Sequence, residues 1–264
     1  MKLHFHKYQG SGNDFIIIDN RANIISLTED NINFLCNRHM GIGADGLIMI
    51  KDVEGYDFAM DYYNADGKKS TMCGNGGRCI VAFAHSLCYI KSETKFLAID
   101  GPHSAIVLSG NHDVYQIALQ MTNVDKVTLS NDNYILDTGS PHFVMFVQDV
   151  NSIDVRNEGR EIRNSTEFAE QGINVNFVQI EKNENLILVR TYERGVEDET
   201  LSCGTGVTAS AIASSNFFDE NLKKLNVSTL GGDLSVSFEH SENSFYNIWL
   251  EGPVKLVFTG IIDI

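Results

Sequence analysis

The sequence predicts a mixed α/β (α+β) protein of two similar domains, and three observations lead to this prediction. Strand-like segments are many and helical segments are few, which favours mostly antiparallel pairing. The length of 264 residues fits one large domain or two of about 120–130 residues. A C-G-x-G motif followed by a helical pattern occurs twice, at Cys73 and at Cys203.

The elements of the first half follow from local patterns, in chain order. "FIIIDN" is a short apolar run that ends in turn residues, so it predicts a strand. "NINFLCNRHMGIGADGLIMI" predicts a helix, a glycine-rich turn and a second strand. "GRCIVAFAHSLCYI" predicts a helix, because its apolar residues recur at helical spacing: Ile80, Ala84, Leu87 and Cys88. "SAIVLSG" and "VYQIALQM" follow as strands.

The second half shows the same kinds of pattern. "HFVMFV", "INVNFVQI" and "LILVRTY" predict strands. "GVTASAIASSNFF" predicts a helix from the spacing of Ala209, Ile212, Ala213 and Phe217. "LSVSFEH" and "YNIWLEGPVKLVFTG" predict strands at the end of the chain.

The two halves align when Cys73 is placed over Cys203, 130 positions later. Tyr62 then meets Tyr192, and Asn64 meets Arg194. Each half therefore has a strand, a polar turn, C-G-x-G and a helix in that order. The match predicts a duplicated unit, related by a pseudo-two-fold axis, with the two copies facing each other across a cleft.

Charge and composition exclude several classes of partner. The net charge is −15 and no basic stripe occurs, so neither nucleic acid nor an anionic membrane surface is an expected partner. No apolar run approaches the roughly 20 residues of a membrane helix. The segment "MKLHFHKYQGSGNDF" lacks the apolar core of a signal peptide, so we expect a cytoplasmic protein.

The five cysteines are predicted to be free thiols, because their number is odd and no secretory signal is evident. No C-x2-C pair occurs, so no zinc site or other metal site is expected. Cys36, Cys79 and Cys88 lie on helical patterns without a glycine turn. We expect these three to be buried as small apolar side chains.

The C-G-x-G element predicts an anion site that contains a reactive thiol. Glycines let the backbone approach a ligand closely, and the first N–H groups of the following helix favour negative charge. A cysteine at this position should have its pKa lowered from about 8.5. Two such thiols at a shared carboxylate site suit inversion at a carbon next to a carboxylate. One thiolate removes the α-proton, and one thiol returns a proton to the opposite face.

The chain closely resembles the diaminopimelate epimerases, which belong to the cofactor-independent amino acid racemases. The matching segments cover nearly the whole chain in family order: "GSGNDFIIID", "GIGADGL", "NADG", "MCGNGGRC", "GSPHFV", "GINVNFVQ", "ERGVEDETLSCGTG" and "EGPVKLVFTG". The resemblance implies conversion of LL-2,6-diaminoheptanedioate to the meso isomer in lysine and peptidoglycan precursor biosynthesis, with no pyridoxal phosphate or other cofactor.

The resemblance also implies the architecture. Each domain is a curved, mostly antiparallel sheet around a central helix that begins at C-G-x-G, and the active site lies in the cleft between domains. The first domain comprises residues 1–118 plus 252–264, and the second comprises residues 119–251. A homodimer is implied as well, with Phe258 where some relatives have an interface tyrosine.

Residue roles carry over position by position. Cys73 matches the proton donor and Cys203 the proton acceptor. The reacting carboxylate is held by positions matching Gly74, Asn75, Gly204 and Thr205. Asn13 matches a residue near the reacting amino acid end, and the distal end is bound by positions matching Asn64, Asn174 and Arg194. Glu193 and His142 match groups that tune the cysteine pKa values, and Glu193 also contacts substrate.

Two positions depart from the family pattern. Ser140 replaces the usual asparagine before Pro-His, so we expect its shorter hydroxyl to reach the distal carboxylate only through water. Gly46 stands where some members have a substrate-binding glutamine. We therefore expect Gly46 to contact the substrate through its backbone or not at all.

Three alternative functions use the same motifs. A racemase acting on proline or hydroxyproline would need both thiols but no distal subsite. A non-catalytic amino acid binding protein would need the glycine cradles but not the thiols. A thiol redox pair would use Cys73 and Cys203, although they are not a C-x-x-C pair.

Overall fold

The computed structural model describes residues 1–111, 113–218 and 223–264, and these form two compact units. The first unit is Met1–Leu119 with Gly252–Ile264, and the second is Gln120–Glu251. Strands outnumber helices in the described residues, and most neighbouring strands are antiparallel. The predicted mixed α/β class is therefore confirmed.

The first unit is a ring of eight strands in the described residues. Its elements are β1 (Lys2–Gly10), β2 (Asn13–Asp19), α1 (Glu29–Cys36), β3 (Gly46–Lys51), β4 (Phe58–Asn64), α2 (Gly74–Ser86), β5 (Glu93–Ala98), β6 (Gly101–Asn111), β7 (Val114–Gln120) and the end of β16 (Ser244–Asp263). The strands are neighbours in this order, and the end of β16 pairs with β7 through residues 252–255 and with β1 through residues 255–263. This double pairing closes the sheet on itself, so its first and last strands are not left as edges.

Helix α2 is the central helix of the first unit. Every residue from Gly74 to Ala84 is buried, and the helix packs against β1, β2, β3 and β6. A helix enclosed on all sides has no polar face to present to water, which explains its run of small and apolar residues. Arg78 is the exception, since it is a charged side chain that is 0% exposed.

The second unit repeats this plan. Its elements are β8 (Val127–Ser130), β9 (Asn133–Asp137), β10 (Pro141–Phe146), α3 (Val155–Arg163), β11 (Asn174–Glu181), β12 (Leu186–Glu193), β13 (Asp198–Thr200), α4 (Gly204–Ser214), β14 (Lys224–Thr229), β15 (Gly232–Ser241) and the start of β16. The sheet order is β8-β9-β10-β11-β12-β14-β15-β16. A bridge between Val124 and Phe245 ties the segment before β8 to β16.

Helix α4 is the central helix of the second unit and matches α2. Apart from Thr205, its residues from Gly204 to Ser214 are buried, and α4 packs against β10, β11, β12 and β15. In both units the two parallel strand pairs flank the helices: β2 with β3 and β4 with β5, then β10 with β11 and β12 with β14. The duplication that was predicted from the sequence is thus visible in the order of elements.

Helix α3 was not predicted from the sequence. Only Val155 and Gly159 of its nine residues are buried, so apolar periodicity is weak. Its start is set by Asp154, whose side chain accepts a hydrogen bond from the backbone N–H of Asn157. This local cap was the signal available in the sequence.

The prediction that Cys88 is buried was wrong. All five cysteines are free, and Cys36 and Cys79 are buried as predicted, but Cys88 is exposed. Helix α2 ends at Ser86, and Cys88 has a positive φ of 55° in the turn that follows. The helical spacing continued past the end of the helix because the apolar pattern does not record where the backbone turns.

The helices that the structure describes are too short or too polar to cross a membrane.

Candidate active site

The two cysteines occupy equivalent places at the starts of the two central helices. Cys73 is the N-cap of α2 and Cys203 the N-cap of α4, both in extended conformation. Their carbonyl oxygens accept the first helical hydrogen bonds, from Gly77 N at 2.7 Å and from Val207 N at 2.8 Å. Neither cysteine side chain caps its helix. A helix start without a side-chain cap is a typical anion-binding position, because its first-turn N–H groups can donate to a ligand.

In the first unit, Cys73 contacts Asn13. The Cys73 Sγ lies 3.5 Å from Asn13 Oδ1, and Asn13 Nδ2 donates to Asp45 Oδ2 at 2.5 Å. Because the carboxylate of Asp45 can only accept, it holds the amide nitrogen of Asn13 and turns the amide oxygen toward Cys73. This oxygen accepts from an S–H group, so the contact suits a protonated Cys73.

Asp45 is held by an ion-pair cluster that sequence analysis did not identify. Arg38 donates to Asp45 at 2.7 Å and to Asp14 at 2.8 Å, and Lys7 pairs with Asp14 at 2.7 Å. Burial raises the pKa of Asp14, but hydrogen bonds from Arg38 and Lys7 lower it to about 2. Asp14 is therefore ionised at neutral pH and anchors the cluster. Asp45 lies within the quoted "GIGADGL", so the motif contained the residue without indicating its role.

In the second unit, Cys203 is joined to a chain of hydroxyl groups. Thr205 Oγ1 lies 3.4 Å from Cys203 Sγ, and Ser140 Oγ lies 3.2 Å from Thr205 Oγ1. Ser140 Oγ is also 3.0 Å from His142 Nε2 and accepts from Asn174 Nδ2 at 3.2 Å. Ser140 therefore lies in the cluster around Cys203.

The direction of this chain follows from Asn176, another residue that sequence analysis missed. Asn176 Oδ1 accepts from Thr191 Oγ1, while Nδ2 donates to Phe143 O and lies 3.1 Å from His142 Nδ1. Because that nitrogen is a donor, His142 Nδ1 accepts and His142 Nε2 carries the proton. His142 then donates to Ser140, Ser140 to Thr205, and Thr205 to the sulfur of Cys203.

His142 is neutral in this arrangement. It is 0% exposed, and burial, with a smaller contribution from the charge of Arg194, lowers its pKa to about 3. At neutral pH the ring therefore holds one proton, as its two hydrogen bonds require.

The residues predicted to bind the distal end are placed in different ways. Asn174 is buried, and its Oδ1 accepts from the backbone N–H of Arg194 at 2.9 Å. The guanidinium of Arg194 is exposed and donates to Gln171 O at 2.9 Å. Glu193 ends β12 and accepts from Thr200 Oγ1 at 2.9 Å. Asn64 ends β4 in the first unit, where its backbone closes a turn with Lys68.

Gly46 has no room for a side chain. A Cβ there would lie 2.6 Å from both Tyr62 Cε2 and Tyr63 O. Any substituent would have to displace the neighbouring strand, so glycine fits the local packing, and only the backbone at this position can contact a ligand.

The other buried cysteines are unsuited to acid–base chemistry at neutral pH. Burial raises the pKa of Cys36 to about 12 and raises the pKa of Cys79 further. Among the described residues, no group of three or more His, Cys, Asp or Glu side chains is arranged to hold a metal ion.

Comparison with known proteins identifies a family. The family model for diaminopimelate epimerase matches residues 5–127 and 134–257. A diaminopimelate epimerase from Flavobacterium psychrophilum is 50% identical over 260 residues, covering 98% of each chain. One from Chlorobaculum tepidum is 40% identical over 259 residues, covering 97% of this chain and 99% of that one.

Solved structures with little sequence similarity share the fold. A PhzF-family phenazine biosynthesis protein of Bacillus anthracis aligns with a TM-score of 0.76 at 13% identity, covering 100% of both chains. A hydroxyproline epimerase from Agrobacterium vitis aligns with a TM-score of 0.67 at 12% identity, covering 99% of this chain and 92% of that one. The family model and the full-length relatives together show that this chain belongs to the diaminopimelate epimerase family.

Proposed function

We propose that this chain converts LL-2,6-diaminoheptanedioate to the meso isomer by proton transfer between two cysteines and the α-carbon. One observation carries the proposal. Two cysteines occupy the N-cap positions of two equivalent helices, each followed by a glycine-rich first turn. Membership of the family supports the substrate, and the resemblance in the motifs supports the assignment of the cysteines.

The proposed reaction has two steps. The Cys203 thiolate removes the α-proton from the reacting L centre, and the electron pair of that C–H bond moves into the carboxylate. The Cys73 thiol then donates its proton to the opposite face, which forms the new C–H bond and leaves Cys73 as a thiolate. Helix N–H groups at Gly74, Asn75 and Gly204 stabilise the charge that develops on the carboxylate.

The surroundings of the two sulfurs favour this direction. Thr205 donates toward the sulfur of Cys203, which favours its thiolate as the initial base. Asn13 Oδ1 accepts from Cys73, which favours its thiol as the initial acid.

The distal end of the substrate is zwitterionic, and the residues proposed to bind it have matching chemistry. The guanidinium of Arg194 can bind a carboxylate through two hydrogen bonds, and Glu193 can accept from an ammonium group. The amides of Asn64 and Asn174 suit either group. This set distinguishes diaminopimelate from proline, which has no distal amino acid group.

Exchange of the α-proton in deuterated water tests the proposal. We expect the wild-type chain to exchange and epimerise LL-diaminopimelate and to leave proline unchanged, because only diaminopimelate fills the distal subsite. Mass spectrometry measures exchange and chiral chromatography measures inversion. Exchange on proline alone would instead assign the chain to the proline-type racemases.

Ser140→Ala should lower the turnover of LL-diaminopimelate about 10-fold with little change in KM. The substitution breaks the hydrogen-bond chain between His142 and Thr205, so Thr205 no longer directs its proton to the sulfur of Cys203. Steady-state kinetics over pH would show the acid limb of kcat moved to higher pH. A rise in KM alone would mean that Ser140 binds substrate, as the family position suggests.

Homodimerisation stays a prediction from the resemblance. Phe258 on β16 is 47% exposed, so its ring is accessible to a second chain. Sedimentation of the purified chain measures the mass in solution, and a monomer at micromolar concentration would contradict the prediction.

A further inference from the structure

A buried guanidinium lies behind the first C-G-x-G turn. Arg78 Nη1 donates to Gly74 O at 3.3 Å, and Nη2 donates to Asn75 Oδ1 at 2.9 Å and to Ser11 Oγ at 3.1 Å. All three acceptors are uncharged. The Nε atom is buried without a hydrogen-bond partner.

Burying an unpaired charge raises the free energy of the folded state, so a contribution to stability does not explain Arg78. Burial lowers the pKa of Arg78, and the anionic forms of Cys79 and Cys73 oppose this shift. Cys79 is fully buried and its own pKa is raised by burial, so it remains a thiol at neutral pH. The anion that the positive charge of Arg78 can stabilise is therefore the thiolate of Cys73.

The second unit has no such charge at the equivalent position. Thr208 corresponds to Arg78 in the aligned repeats, and its Oγ1 donates to Gly204 O at 2.9 Å. This hydroxyl replaces the hydrogen bond that Arg78 makes to Gly74 O but supplies no positive charge. The difference separates two otherwise matching helix starts.

We propose that Arg78 is a positioning residue that stabilises the negative charge left on Cys73 after this thiol donates its proton. It also orients Asn75, because a guanidinium that holds Oδ1 directs the amide N–H groups away from itself and toward a bound carboxylate. Arg78 thereby makes Cys73 a stronger acid, whereas Cys203 relies on Thr205 and the helix N-terminus.

Several titratable groups lie on the elements around Arg78 and Cys73. They are Cys79 and His85 on α2, Lys2, His4, His6, Lys7 and Tyr8 on β1, Asp14 and Asp19 on β2, Lys51 on β3, and His103 on β6 with Asp100 just before it. Residues Gly46–Ile50 of β3 have no titratable side chain. Asp100 accepts from the backbone N–H of Met72 at 3.3 Å, and this negative charge acts against a thiolate at Cys73. Lys7 is also buried, but it is paired with Asp14. Arg78 is therefore the buried cation without a carboxylate partner in the described part of this region.

Alkylation of the thiols tests the proposal without requiring epimerase activity. Iodoacetamide labelling over a pH series, with peptide mass spectrometry, gives a separate midpoint for each cysteine. We expect Arg78→Met to raise the Cys73 midpoint by about 1 pH unit or more, because a nearby positive charge is lost. The midpoints of Cys203 and of exposed Cys88 should not move.

Three further variants make the test specific. Arg78→Gln is a second neutral variant that keeps a donor for the Gly74 carbonyl, and it should behave like Arg78→Met. Arg78→Lys should keep the Cys73 midpoint near that of wild type. Thr208→Val, the matched control in the second unit, should leave the Cys73 midpoint unchanged.

The kinetic consequence rests on the proposed function. In Arg78→Met, conversion of LL-diaminopimelate should fall at least about 10-fold while exchange at the L centre, which Cys203 starts, continues. A Cys73 midpoint that stays in place in a folded neutral variant would overturn the proposal, and so would equal shifts at Cys73 and Cys203. If Arg78→Lys folded but Arg78→Met and Arg78→Gln did not, the positive charge would be required for folding, and the proposal would also fail. If the Cys73 midpoint shifted in Arg78→Met but the wild-type chain did not epimerise LL-diaminopimelate, the proposed role of Arg78 would stand and the proposed function would be rejected.

Discussion

Replacing Cys203 by alanine is expected to abolish both exchange and inversion of LL-diaminopimelate. Without the thiolate, no group on that face removes the α-proton, and general acid–base catalysis contributes about 10²–10⁴-fold. Replacing Cys73 by alanine should abolish inversion equally, yet deuterium should still enter the LL substrate. Cys203 can remove the proton and return a deuteron to the same face.

The reverse reaction provides an internal check. With the meso isomer, Cys73 is the base for the D centre, so the pattern should invert: Cys73→Ala loses exchange at that centre and Cys203→Ala keeps it. Mass spectrometry combined with chiral separation measures both quantities in one sample.

Cys36→Ala is the matched control, because it also removes a buried thiol but lies in α1, outside the site. It should remain active. If Cys203→Ala incorporated deuterium into the LL substrate and Cys73→Ala did not, Cys73 would be the base and Cys203 the acid in the forward reaction. Full activity of Cys203→Ala would reject Cys203 as the base. Binding of LL-diaminopimelate by the wild-type chain without any exchange or inversion would instead favour an amino acid binding protein.

Gly206→Ala should destabilise the fold by about 2–3 kcal/mol and remove most activity. The new Cβ would lie 2.4 Å from Asn176 Oδ1 and 3.4 Å from both Cys203 Cβ and His142 Cε1. Asn176 is 0% exposed, and its amide is fully engaged with Thr191, Phe143 and His142. Displacing the Asn176 amide leaves buried polar groups unpaired. It also removes the hydrogen bond that keeps the proton of His142 on Nε2.

Gly76→Ala is the matched control, since Gly76 occupies the same position in α2. Its Cβ would lie 3.2–3.4 Å from the side-chain ends of Ile48, Phe15 and Met60, and these can shift by a few tenths of an ångström. Alanine is preferred over glycine in a helix by about 1 kcal/mol, which offsets that contact.

Urea unfolding of both variants measures the difference in the free energy of unfolding. Equal stability of Gly206→Ala and Gly76→Ala would mean that the polar cluster tolerates displacement, and the importance of Asn176 would be rejected.

The sequence by itself determined the mixed α/β class, the duplicated order of elements and the helix that follows each C-G-x-G, and it predicted Cys73 and Cys203 as the acid–base pair. These features depend on local patterns: apolar spacing, glycine turns and the thiol at a helix start. The sequence also distinguished Cys36 and Cys79 as buried thiols, but it misplaced Cys88, because apolar spacing does not show where the chain leaves the helix.

Only the tertiary structure decided which polar groups surround each sulfur. Asp45 reaches Asn13 from the segment just before β3, Asn176 reaches His142 across paired strands, and Arg78 lies under its own helix start without a carboxylate. Their effects depend on distance, burial and the direction of each hydrogen bond. None of these quantities is encoded in local spacing, because they arise when residues far apart in the chain are packed together.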